Sequence, residues 1–236
     1  MTLPTWLDNP AFGAGLTLLV YCAAAWGKSK RRGINPLVVS SLFLIAFLTV
    51  TGIPYEAYRA GGDWIAYGLG PATVALAVPL YKHSAAIRRT LGPVFLGIIA
   101  GSVLSMAAVL LLLYIPGSPR ELLLSMLTKS VSSPIALEIA KRTGGIPELS
   151  AVFSVLSGLF GSLAGPAFLR LCGIRGDVPL GVGIGTSSHG IGTARVLLDS
   201  EWAGGVSGFS MAAAGIATSI LMIPVYGWLQ HPDLTF

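Results

Sequence analysis

Apolar segments of bilayer-crossing length follow one another along almost the whole chain, at 11–27, 36–53, 64–81, 91–115, 122–140, 147–171, 178–198 and 204–229. A helix needs about 20 such residues to cross about 30 Å of hydrocarbon. The succession therefore predicts about eight transmembrane segments. Breakers punctuate their ends: Gly33 to Pro36, Pro54, Gly61-Gly62, Gly92-Pro93, Pro116-Gly117, Gly144 to Pro147 and Gly173. Composition leads to the same class. Charged residues make up 11% of the chain, against about 25% in a soluble domain. Water could not solvate the surface of such a chain. The expected fold is an all-α polytopic membrane protein, a single integral domain over 1–236, with no polar stretch long enough for a soluble module.

The net charge of +5 is spread over short connections, without the aromatic-interleaved basic patch of a nucleic-acid binder. Basic connections report orientation instead. Met1 to Pro10 contain Asp8 and neither Lys nor Arg, unlike the basic start of a signal peptide. The cluster Lys28, Lys30, Arg31 and Arg32 follows the first apolar run, which suits a retained helix with its N-terminus outside. With eight crossings, the inner connections then hold those four plus Lys82, Arg88, Arg89, Lys141 and Arg142, nine in all. The outer ones hold Arg59, Arg120, Arg170 and Arg175, four in all. One re-entrant segment would instead move the C-terminus across the membrane. Cys22 and Cys172 lie in separate apolar segments and read as small hydrophobes.

Three segments carry groups that a plain lipid-facing helix does not. Segment 64–81 holds Pro71 and Pro79; 122–140 holds Lys129 to Pro134 and Glu138; 178–198 holds Gly185, Gly190 and Gly192 beside His189 and Arg195. Ionisable groups and unwound backbone at membrane depth survive mainly where they line a cavity or bind something. A weak echo relates Leu69-Gly-Pro-Ala-Thr to Leu127-Thr-Lys-Ser-Val, each followed by a Gly/Ser-rich helix. Either it is chance likeness between apolar segments, or it marks the repeats of an inverted-repeat carrier, whose broken helices bind the solute.

The chemistry narrows by elimination. Gly181-Val-Gly-Ile-Gly185 lacks both the Lys-Ser/Thr ending of a phosphate loop and the acidic residue of a dinucleotide fold. Ser187, Ser188 and His189 are too close in sequence to form a nucleophile–base pair, so no enzyme is expected. No cofactor and no metal-ligand spacing is present in the sequence. Solute binding fits better. Free amides at a half-helix N-terminus attract anions, and Ser130, Ser132, Ser133, Thr186, Ser187, Ser188 and Thr193 add hydroxyls. Arg195 offers a planar fork for a carboxylate, or else reaches to the membrane edge; Lys129 offers a point charge. His189 could relay a proton, bind solute or join two helices. Glu138 is a counter-ion of Lys129 or Arg195, a proton site, or the partner of Lys141 or Arg142 on its own helix.

At Lys129-Ser-Val-Ser-Ser-Pro-Ile-Ala-Leu-Glu138, Gly144-Gly-Ile-Pro-Glu-Leu-Ser-Ala-Val-Phe153 and Gly185-Thr-Ser-Ser-His-Gly-Ile-Gly-Thr-Ala-Arg195 the chain closely resembles the LrgB/CidB family. Leu69 to Tyr81 fits the same pattern, and the likeness covers essentially everything beyond the first span. The resemblance implies a multi-pass protein of the bacterial inner membrane with a small holin-like partner of the LrgA/CidA type. Family members are described as antiholin-like regulators of murein hydrolase activity and lysis. Plastid relatives move glycolate and glycerate, and bacterial pairs are linked to pyruvate uptake. Since Lys129, Arg195 and His189 outnumber Glu138, the expectation is a proton- or cation-coupled carrier of small monocarboxylates. Substrate would bind at 129–134 and 185–195. The antiholin-like role is the alternative. Partners expected are the carboxylate, the small holin-like protein and membrane lipid; a homo-oligomer is compatible.

Overall fold

The computed structural model describes residues 9–30, 36–75, 77–114 and 117–230. Arg31, Arg32 and Gly33 of the first basic connection, Pro116, and Met1 to Asp8 lie outside the described residues. The described chain is helical, without a strand among its described residues. Five helical stretches are long and apolar enough to cross a membrane: Pro10–Gly27, Tyr55–Lys82, Leu91–Leu113, Pro147–Leu171 and Glu201–Leu229. The protein is a multi-pass membrane protein. It divides into two compact units, Met1–Ala75 and Leu76–Phe236.

The first unit contains α1 (Pro10–Lys30), α2 (Pro36–Thr51), α3 (Tyr55–Tyr67) and α4 (Leu69–Ala75). Helices α1 and α3 touch backbone to backbone. A Cβ on Gly61 would lie 2.6 Å from the Gly13 Cα, and one on Gly13 would collide with the Tyr58 carbonyl. Glycine at both places permits the approach, the small-residue packing usual between membrane helices. The Thr17 and Tyr58 hydroxyls, 2.8 Å apart, pin the crossing.

The second unit contains α5 (Ala77–Lys82), α6 (Ser84–Arg89), α7 (Leu91–Tyr114), α8 (Arg120–Leu127), α9 (Ser133–Thr143), α10 (Pro147–Leu171), α11 (Asp177–Leu197) and α12 (Glu201–Leu229). Within segment 64–81, α3 ends at Tyr67 and α4 starts at Leu69, with Gly68 between them. Pro71 is the third residue of α4. A first-turn proline lacks an N–H that no intrahelical carbonyl could use. Pro71 starts its helix rather than breaks it. Pro134 does the same in the first turn of α9.

Two helical hairpins organise this unit. Helices α8 and α9, joined by residues 128–132, both run alongside the C-terminal half of α12. Arg120 at the start of α8 lies 5.9 Å from the Tyr226 ring, while Arg142 and Thr143 at the end of α9 share a groove with Tyr226. The intervening turn lies far along the unit, against Ser105 and Ser154. Helix α11 also doubles back. Its turn is the single residue His189, at φ 40° and ψ −138°. Residues 184 and 192 would be about 12 Å apart in a straight helix, yet a Cβ on Gly192 would lie 2.7 Å from Ile184 Cγ2. Both ends of α11 sit at the start of α12, where Ser200 Oγ donates to Asp177 Oδ2 at 2.7 Å and Gly204 packs on Leu197. The hairpins therefore enter from opposite ends of α12. Each is followed by a long helix, α10 or α12, and these run in opposite directions. Neither 122–140 nor 178–198 extends from one end of the unit to the other, as eight successive crossings would require. Periodic hydrophobicity is the same for a limb that turns back as for one that continues.

Candidate functional site

The two hairpin turns converge on α10. His189 is buried, and its Nε2 lies 2.8 Å from the Ser154 carbonyl and 3.3 Å from Ser154 Oγ. A carbonyl only accepts, so Nε2 carries the proton in this contact. Ser154 Oγ donates in turn to the Val131 carbonyl at 2.6 Å, inside the 128–132 turn, and Ser133 Oγ donates to Ser154 Oγ at 3.3 Å. One serine thus joins both turns. The ring has room because residue 158 is glycine: a Cβ there would stand 2.8 Å from the imidazole. Among the described residues His189 is the one non-glycine with positive φ. Such a conformation costs about 1–3 kcal/mol and persists where its surroundings hold it.

Beside this junction lies a cavity of about 620 Å³, large enough for a small solute. Its walls are Ser105 of α7, Lys129 and Ser130 of the 128–132 turn, one face of α10 from Ser157 to Leu169, and Gly183, Ile184, Ser187 and Ser188 of α11. Lys129 Nζ donates to Ser105 Oγ at 3.2 Å and Ser130 Oγ at 3.4 Å, and those two hydroxyls are 2.8 Å apart. Among the described residues no carboxylate lies within ion-pair distance of Lys129. Nor does any acidic one among the described residues line the cavity. An ammonium held among hydroxyls without a counter-charge favours an incoming anion.

The expected site residues separate into groups. Lys129, Ser130, Ser187 and Ser188 line the cavity. Ser133 and His189 form the junction behind it. Ser132 is the residue before α9 and makes no side-chain cap there. Thr193 donates to the His189 carbonyl at 2.7 Å and meets Ser207 Oγ of α12 at 2.8 Å, holding the second limb of α11. Thr186 is buried with its hydroxyl unpartnered and its methyl beside Gly101. Gly190 follows the turn, Gly192 lets the limbs of α11 touch, and Gly185 lies within the first limb against Ser207 and Ser210.

The expected meeting of Arg195 with Lys129 and His189 is not what the structure shows. Arg195 Nη1 binds Asp199 Oδ1 at 2.7 Å, both half exposed, one turn apart at the end of α11. Glu138 likewise pairs with Arg142 at 2.9 Å, the local alternative, rather than with Lys129 or Arg195. Exposed pairs of this kind contribute about 0–1 kcal/mol. Arg195→Lys is therefore expected to change carboxylate affinity less than about twofold, equivalent to about 0.4 kcal/mol, in a binding titration.

Ser105, Ser157 and Gly161 also line the cavity, and Ser154 and Gly158 shape the junction, although no sequence motif marks them. A signal for part of them is present: Ser150, Ser154, Gly158, Ser162 and Pro166 recur every fourth residue and are all buried. Such a row marks the face of a membrane helix on which others pack closely.

Comparison with known proteins adds the following. The LrgB-like family matches residues 17–228. A Bacillus subtilis protein, the uncharacterised YxaC, is 36% identical over 196 residues, covering 83% of this chain and 85% of that protein. The "Holin-like protein CidB" of Staphylococcus epidermidis is 32% identical over 213 residues, covering 89% of this chain and 92% of the relative. The Staphylococcus aureus protein of the same name is 31% identical over 212 residues, with 89% and 92% covered. No solved structure matches.

Proposed function

This chain belongs to the LrgB-like family, and we propose that it is a carrier for small monocarboxylates of the glycolate, glycerate or pyruvate type, with the carboxylate seated on Lys129. The observation that carries the proposal is the ammonium of Lys129, held by two hydroxyls and without a carboxylate partner among the described residues, in a largely apolar cavity between two helix interruptions. Ser105, Ser130, Ser187 and Ser188 supply neutral hydrogen bonds around it. The carrier is proton- or cation-coupled. The whole chain acts as one integral domain of the inner membrane.

In this reading the 120–143 and 177–197 hairpins dip into the bilayer from opposite faces and meet near its middle. The limbs of α8 and α9, 8 and 11 residues long, reach about 12 and 16 Å, half a membrane each. Hairpin-plus-long-helix units related by inversion are a carrier architecture. Six crossings replace the eight expected. Lys141 and Arg142 then join Arg59 and Arg120 outside, and Arg170, Arg175 and Arg195 join the inner group, so the basic count becomes ten to four. A single cysteine at position 142 should be labelled from outside and one at 175 from inside, in a background lacking Cys22 and Cys172. The reverse pattern would restore eight crossings.

The names of the staphylococcal relatives favour a second reading. Here the protein is an antiholin-like regulator of murein hydrolase activity and lysis, acting with a small holin-like partner of the LrgA/CidA type. The two readings separate in proteoliposomes. A carrier takes up labelled glycolate, glycerate or pyruvate, with or without the partner protein. A lysis regulator without transport activity leaves uptake at the level of empty liposomes and alters release of a trapped dye when the partner is present.

A further inference from the structure

Ser187, Phe160 and Phe168 on the outer wall of the cavity are exposed, whereas Ser188 and Ser130 at its inner end, with His189 behind them, are buried. A solute bound at Lys129 can pass that closed end only if it yields. We propose that the 177–197 hairpin is the gate of this closed end, pivoting at His189, with the contact between the His189 ring and the Ser154 carbonyl as its latch. The inference rests on the reading of the Lys129 cavity as the solute site.

Two observations converge on it. The backbone of His189, φ 40° and ψ −138°, lies where glycine is at ease and an L side chain is strained. Gly190 stands next to it, so the chain carries the strain one residue away from where it could have been avoided. Retaining a side chain at the turn is reasonable if that side chain is needed, and this one closes the junction through Ser154 to the Val131 carbonyl of the opposite turn. The gate is therefore joined to the segment that carries Lys129.

The second observation is the surface on which the hairpin rests. A Cβ on Gly158, Gly161 or Gly165 of α10 would collide with His189, Ser188 or Ile184 respectively. On its α10 side the hairpin thus lies directly on glycine backbone.

The test uses the full-length protein in liposomes, with Cys22 and Cys172 replaced by alanine and one reporter, Ser188→Cys, on the closed side. The rate of maleimide modification is measured alone and with His189→Gly, which removes both ring and strain, or Gly158→Ala, which leaves His189 in place but crowds its ring. Each change should raise the rate at position 188 at least fivefold. A second reporter, Ser207→Cys, buried between α11 and α12, should stay unmodified in both. Unchanged rates at position 188 in both variants, or an equal rise at position 207 that signals general loosening, would overturn the gate. Because labelling needs no substrate, a gate that opens in a protein without uptake would count against the carrier reading alone.

Discussion

Carboxylate uptake is expected to fall about 10- to 100-fold in Lys129→Ala, and to fall less in Lys129→Arg. A lost hydrogen bond to a charged group is worth about 1.5–3 kcal/mol, which corresponds to that range in affinity. The range applies because, among the described residues, Lys129 is the cation lining the cavity and no acidic neighbour stands beside it. Arginine restores the charge, but its longer planar head cannot reproduce the two contacts to Ser105 and Ser130. Uptake against substrate concentration in proteoliposomes, after matching inserted protein, checks the order wild type, arginine, alanine. Equal rates in all three would remove the anion-binding group from the carrier.

Gly161→Leu is expected to have the largest effect on stability. A Cβ alone at this position would overlap Ser188 Oγ, and the rest of a leucine would have to displace the first limb of α11. Overpacking of a tight contact costs about 1–3 kcal/mol, and more when backbone must shift. Gly92→Ala is the control, since nothing stands within 4 Å of a Cβ there. Thermal unfolding in detergent should show Gly161→Leu several degrees below wild type, or without a cooperative transition, and Gly92→Ala close to wild type. A wild-type transition for Gly161→Leu would mean that α10 and α11 do not pack as described.

The helical class and both interruptions were legible in the residues, because Pro134 and the polar runs 129–133 and 185–190 cannot behave as ordinary lipid-facing helix. What was not legible is the direction the chain takes after each interruption. Hydrophobic periodicity reports that a limb is helical and not whether it continues or reverses. In α11 the reversal is confined to one histidine, a residue type with no special preference for its backbone angles. The site was legible in part for the same reason. Lys129 reached the cavity because the 128–132 turn carries it there. Arg195 did not, because the second limb of α11 runs back toward the end of the unit, where Asp199 one turn on satisfies it. Ser154 and Gly158 look like ordinary packing residues until the opposing turns are placed against them.

The most direct measurement of the central claim is equilibrium binding of labelled pyruvate, glycolate and glycerate to the purified protein, with Lys129→Ala and Arg195→Lys alongside wild type. The account predicts saturable binding of at least one of the three by wild type, near-normal binding by Arg195→Lys, and at least tenfold weaker binding by Lys129→Ala. Binding that is lost in Arg195→Lys but intact in Lys129→Ala would contradict it, as would no binding of any of the three by wild type.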